Sequence, residues 1–197
     1  MNFLAHLFLG PQQPQHALGS LLGDFVKGPL ETMLLPEAVK EGVWLHRRID
    51  GFTDAHPMVI QSKRRVSSTR RRFAGIMVDM FYDHLLATHW QRYSDVPIEQ
   101  FTRDMYAAVL AQRAQIPDPA WPIIQRMAQQ DWLTSYAELP NLHQAVNNIS
   151  RRFTRVTSLP GAVCELEDEY PGFEEDFLSF MPDVIAFAQS EAMHLRT

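Results

Sequence analysis

A single cysteine, Cys164, stands among 197 residues. No intramolecular disulfide and no Cys-rich zinc site can form from it, so any metal must be held by His, Asp and Glu, and the reducing cytoplasm is the expected compartment. Glycine is scarce, nine in all, too few to punctuate a chain of many short strands and tight turns. No repeat, low-complexity tract or Gly/Ser linker divides the sequence. Long apolar runs are missing too: no window approaches the ~18–20 uninterrupted apolar residues that span a bilayer, and membrane insertion is not expected. The opening Met1 to Gly10 is apolar, but it lacks a basic lead, is interrupted by His6 and runs into Pro11-Gln12-Gln13-Pro14-Gln15, which does not suit a signal peptide. The formal charge of −5 weighs against nucleic acid as a partner, because phosphate contacts supply most non-specific affinity there.

What is present is helical in pattern. With 46% hydrophobic residues, the chain suffices for one well-cored domain over 1–197 and is short for two. Ser20 to Val26 begins a short amphipathic stretch that stops near Lys27-Gly28-Pro29. Pro36 to Ile49 reads as a second helix. Met58 to Arg72 alternates apolar and basic positions and suits an exposed helix. Phe73 to Trp90, apolar nearly all round, is expected to be the central, most buried helix. Further helices are expected over Ile98 to Ala114, Trp121 to Leu133, Asn141 to Phe153 and Glu174 to His194, the last bending or restarting at Pro182. Pro117-Asp118-Pro119 and Leu159-Pro160-Gly161 read as loops. The fold class is therefore all-α, a single helical bundle. Trp44, Trp90, Trp121 and Trp132 are assigned to the core.

Several polar residues sit in apolar company. Asp79 and Asp83 are four apart, within ~40° of each other on a helix, with His84 beside them. His46 and Asp50 repeat that spacing, and such a pair suits Mn²⁺, Fe²⁺, Zn²⁺ or, with more oxygens, Mg²⁺. Asp24 and His6 stand in similar surroundings. An ionised carboxylate there costs several kcal/mol unless paired or metal-bound. Two readings stay open: a bundle-core metal site, or buried ion pairs with Arg47, Arg48 or the arginines at 70–72, with the histidines merely hydrogen-bonded in the core.

The strings Met1-Asn2-Phe3-Leu4-Ala5-His6-Leu7, Leu21-Leu22-Gly23-Asp24-Phe25-Val26-Lys27-Gly28, His46-Arg47-Arg48-Ile49-Asp50, Thr53-Asp54, Asp79-Met80-Phe81-Tyr82-Asp83-His84-Leu85 and His89-Trp90 resemble, in order and spacing, the bacterial acyl-carrier-protein phosphodiesterases. Ser150-Arg151-Arg152-Phe153 fits as well. The resemblance implies a divergent HD phosphohydrolase fold and a divalent metal, commonly Mn²⁺ with Mg²⁺ or Fe²⁺ as alternatives. It also implies hydrolysis of holo-acyl carrier protein to the apo protein and 4′-phosphopantetheine. Carried over, the implied metal site comprises Asp24, His46, Asp50, Asp79, Asp83, His84 and His6. The chain contains no His-Asp dipeptide, only the reversed Asp83-His84, so the division of ligands among ions stays open.

For such a reaction Asp24 is either a ligand or the base that orients water, and Arg47 or Arg48 is a candidate clamp on the phosphodiester. His56 and His89 are weaker candidates to protonate the serine oxygen. Lys63, Arg64, Arg65, Arg70, Arg71 and Arg72 place six of the 18 basic residues in ten positions. That stretch is expected to dock the acidic carrier protein, joined by Arg151, Arg152 and Arg155. Two other functions remain open, a metal phosphohydrolase acting on a nucleotide or small phosphoester, and a non-catalytic helical module.

Overall fold

The computed structural model describes residues 1–150 and 158–195, and among them every regular element is helical. In chain order these are α1 (Phe3–Leu9), α2 (Pro14–Leu22), α3 (Glu37–Ala55), α4 (Pro57–Arg65), α5 (Ala74–Thr88), α6 (Ile98–Leu110), α7 (Trp121–Gln129), α8 (Trp132–Ser135), α9 (Leu139–Ser150), α10 (Val163–Asp168) and α11 (Tyr170–His194). None is long and apolar enough to cross a membrane.

The expected central helix is central. From Met77 to Ala87 every residue of α5 is buried except Asp79, and α1, α4, α9 and α11 pack around it. Phe81 and Tyr82 meet Phe173 and Phe177 of α11 edge to face, at 5.2 and 5.4 Å between centroids, a favoured aromatic geometry. The same interface carries a polar network. Buried Asp176 on α11 accepts from Ser62 Oγ at 2.9 Å, Gln61 Nε2 at 2.6 Å and Arg65 Nε at 2.8 Å, tying α4 to α11.

Several boundaries differ from the sequence reading, each for a local reason. α2 runs from Pro14, favoured at a first helical position, and ends at Leu22, so Ser20 to Val26 is mostly its end and a turn. α1 was not foreseen as a helix: seven residues is below the length that holds alone, and tertiary contacts described below fix it. α3 continues to Ala55, where His56, extended before Pro57, ends it and receives the Met58 N–H on its own ring. The expected Met58 to Arg72 helix breaks at Val66, an extended residue buried in the core. Trp121 to Leu133 is divided by Asp131, left-handed at φ 45°. α11, by contrast, passes through Pro182 without restarting. Pro182 is exposed, so the bond it cannot make is lost on the solvent side. The end of the expected Asn141 to Phe153 helix lies outside the described residues, as do Arg151, Arg152 and Arg155.

Candidate active site

The α2 and α3 helices meet backbone to backbone. A Cβ on Gly19 would fall on the Val39 carbonyl oxygen and 2.7 Å from the Gly42 Cα. This approach sets the Ser20 carbonyl 2.8 Å from His46 Nδ1. A carbonyl only accepts, so Nδ1 carries the proton and Nε2 is turned to the opposite side. Gly23, at the end of α2, makes room for the ring, because a Cβ there would overlap the His46 imidazole.

On that opposite side, His46 Nε2 lies 3.2 Å from Asp50 Oδ2, one turn along α3, and 3.8 Å from Asp24 Oδ1. His6 of α1 stacks on the His46 ring, with centroids 3.6 Å apart, and its Nε2 is 3.0 Å from Asp50 Oδ1. Asp50 therefore meets one imidazole on each oxygen. Asp79 borders the group through the Met1 amino nitrogen, which is 2.9 Å from Asp79 Oδ1 and 3.7 Å from Asp50 Oδ1.

Desolvation opposes ionisation of Asp50, but hydrogen bonds from His46 and then His6 outweigh it and hold the carboxyl well below the usual range. Burial, reinforced by the adjacent His46, lowers His6 to about 3, so that ring is neutral. Asp24, with a side chain about half exposed, has its carboxyl raised by desolvation against the opposing pull of His46.

These residues have the chemistry of a cation site. His46 gives its Nδ1–H to the Ser20 carbonyl and turns Nε2 toward the Asp50 carboxylate 3.2 Å away. Either a proton or a metal cation can occupy the space between that nitrogen and that oxygen. A histidine oriented by a backbone carbonyl on its far nitrogen is the usual arrangement of a metal ligand, and imidazole with carboxylate oxygens suits first-row divalent ions. His6 differs, since its Nδ1 is buried without a partner. Donation of Nε2–H to Asp50 leaves only a bare acceptor there, whereas ligation through Nε2 would bury an unpaired N–H, at about 1–3 kcal/mol. His6 still offers a ligand atom within 4.8 Å of those of His46 and Asp50, so it is placed either to ligate an ion there or to orient Asp50.

Other residues singled out in the sequence lie apart from this group. Asp83 accepts the Leu4 and Ala5 N–H groups at 2.9 and 3.2 Å, so it caps α1 with both oxygens, and burial raises its pKa to about 7 against those two bonds. His84 is satisfied at both nitrogens, by the Tyr136 carbonyl at 2.8 Å and the Tyr170 hydroxyl at 3.1 Å, and desolvation lowers its pKa. The structure does not bring either to the His46–Asp50 pair. Arg47 donates to the carbonyls of Gly28 and Val26 at 2.8 and 3.3 Å, bracing the loop after Asp24 rather than offering a free clamp. Arg48 is engaged with Glu191 at 2.6 Å. His56 and His89 pair with Asp183 and Glu174 of α11.

The basic stretch divides in two. Lys63 pairs with Asp54, Arg65 with Asp176, and Arg70 with Glu165. Arg64, Arg71 and Arg72 are exposed and have no ion-pair partner among the described residues.

The sequence reading also missed parts of the site. Ser20 contributes only a backbone atom, which no side-chain pattern announces; Gly23 was visible, but its reason is the ring it faces. Asp24 additionally lines a cleft of about 430 Å³ together with Asn2, Phe3, Trp132 and one face of α9. Trp132, assigned to the core, is half-buried in that wall.

Comparison with known proteins places this geometry in context. The family model for acyl carrier protein phosphodiesterase matches residues 1–184. The chain is 34% identical over 194 residues to the acyl carrier protein phosphodiesterase of Pectobacterium atrosepticum, covering 98% of this chain and 100% of that protein. It is 33% identical over 190 residues to the protein of the same name from Yersinia pestis, covering 96% and 98%. No solved structure matches. The chain belongs to the acyl carrier protein phosphodiesterase family.

Proposed function

We propose that this member of the acyl carrier protein phosphodiesterase family hydrolyses holo-acyl carrier protein to the apo protein and 4′-phosphopantetheine, in the cytoplasm and with a divalent cation. The observation that carries the reading is the grouping of the ligand atoms of His6, His46 and Asp50 within 4.8 Å of one another, with Asp24 Oδ1 3.8 Å from His46 Nε2 and that nitrogen turned inward by the bond from Nδ1 to the Ser20 carbonyl. His46 and Asp50 would hold the ion, Mn²⁺ foremost and Mg²⁺ or Fe²⁺ as alternatives. When bound it would supply charge neutralisation at the phosphoryl oxygens and lower the pKa of water. A distant kinship with HD phosphohydrolases, which also use histidines and aspartates on packed helices, belongs to the same proposal.

The chain's own groups have defined tasks. Water attacks phosphorus, the bond from phosphorus to the carrier's serine oxygen breaks, and the serine oxygen takes up a proton. Asp24, with its raised pKa and its place at the edge of the cleft, is suited to accept the proton of the attacking water, since a carboxylate is a better base as its pKa rises toward the working pH. His6 holds Asp50 in orientation. Arg47 keeps the 26–28 loop in place beside Asp24. The exposed Arg64, Arg71 and Arg72 would meet the acidic carrier. Incubation with holo-acyl carrier protein and Mn²⁺, followed by the mass of the carrier, tests the reaction.

A further inference from the structure

The cleft beside Asp24 has an unusual lining for a site that handles a phosphodiester. Asp24 is the only charged residue among the described residues that line it. The rest of the polar lining is largely side-chain amide: Asn2, Gln130, Asn141, Gln144 and Asn148. Three of these, at 141, 144 and 148, recur at the spacing that places residues on one face of a helix, here α9. Between them Ala145 and Ile149 give that face an apolar strip, which Phe3 and Trp132 continue across the cleft. The amides of Asn141, Gln144 and Asn148 hydrogen-bond to no other described side chain and are exposed, so their donors and acceptors are open to a ligand.

Each amide side chain both donates and accepts, so the wall suits a neutral chain that carries peptide-like groups separated by short apolar segments. A phosphate does not fit along the described part of the wall, which offers no cation; its place is at the Asp24 end, next to His46 and Asp50. From this arrangement we propose that the cleft is the groove for the pantetheine arm, with the phosphodiester at Asp24 and the two amides of the arm running along α9. The inference rests on the hydrolysis proposed above. It adds the location of the arm and the residues that recognise it.

The test uses the full-length protein labelled with ¹⁵N and pantetheine, the neutral arm without its phosphate, as probe. Pantetheine is expected to shift the side-chain amide signals of Asn141, Gln144 and Asn148. The double variant Q144A/N148A should weaken its Kd about tenfold, the effect of losing two neutral hydrogen bonds. Both positions are exposed, and an unchanged thermal midpoint confirms the fold. Binding of this kind in a protein that leaves holo-carrier protein intact would sustain the groove and remove the hydrolysis reading. Hydrolysis of the carrier with no pantetheine-induced shifts, or with a Kd untouched by the double variant, would overturn the groove and spare the hydrolysis reading.

Discussion

His46 and Asp50 face each other across one turn of α3, Nε2 to Oδ2 at 3.2 Å, while the far nitrogen of the same ring is fixed by the Ser20 carbonyl at 2.8 Å. The pair is therefore oriented from outside, by α2, and not by α3 alone. The Gly19–Gly42 contact and the missing side chain of Gly23 allow this, so the site depends on how closely two helices approach.

Substitution of either member should remove the site's affinity for cations. D50N keeps the shape of the side chain but halves its acceptors and cancels its charge. Mn²⁺ affinity, measured by calorimetry, is expected to fall by more than the about 100-fold that marks loss of an outer-shell partner. H46A should behave alike. Unaltered Mn²⁺ binding in both would relocate the ion.

Gly23→Ala tests the orientation rather than the ligands. Its methyl group would enter the space of the His46 ring, forcing the imidazole or the end of α2 to move. Activity should fall about 10²-fold, as displacements of around 1 Å do, with a thermal midpoint changed by only a few degrees. Wild-type activity would mean that the ring position does not matter.

Asp83 predicts a dependence of stability on pH. Its pKa in the folded protein, about 7, lies above the ordinary 3.8, so between those values the folded state keeps a proton that the unfolded chain releases. This contribution is complete at low pH and is lost as pH rises through about 7. Compared with D83N, which cannot titrate, the wild type should lose thermal stability from about pH 4 to about pH 7 in excess EDTA. Parallel midpoints for the two proteins would place the Asp83 pKa elsewhere.

Much of this was legible in the sequence, and the exceptions have physical causes. α5 stood out because an apolar stretch without proline admits little else. His46, Asp50, Asp24 and His6 stood out as polar groups in apolar segments, and they do meet. Asp83 carried the same signature for another reason. Spacing cannot separate a carboxylate that faces solvent-accessible space from one that caps a short helix 79 residues away, as Asp83 does for Leu4. His84 likewise satisfies its nitrogens through Tyr136 and Tyr170, partners unreadable before the fold is known. The cleft was invisible because amides on an exposed helix face look like ordinary surface.

The basic stretch should separate by substitution. R71E and R72E are expected to raise KM for holo-carrier protein, more at low salt than at high, with little effect on the thermal midpoint. R65A should do the converse, destabilising the fold by ~3 kcal/mol or more, because Asp176 would be left buried without its cation. An unchanged KM in the double R71E/R72E variant would move the docking face.

The most direct test of the central claim is the intact mass of holo-acyl carrier protein after incubation with the protein and Mn²⁺, beside the same reaction in excess EDTA and with D50N. The expected result is loss of one 4′-phosphopantetheine, with water added, in the first reaction alone. A carrier of unchanged mass in all three, or cleavage that persists in EDTA and in D50N, would contradict hydrolysis by a cation held at His46 and Asp50.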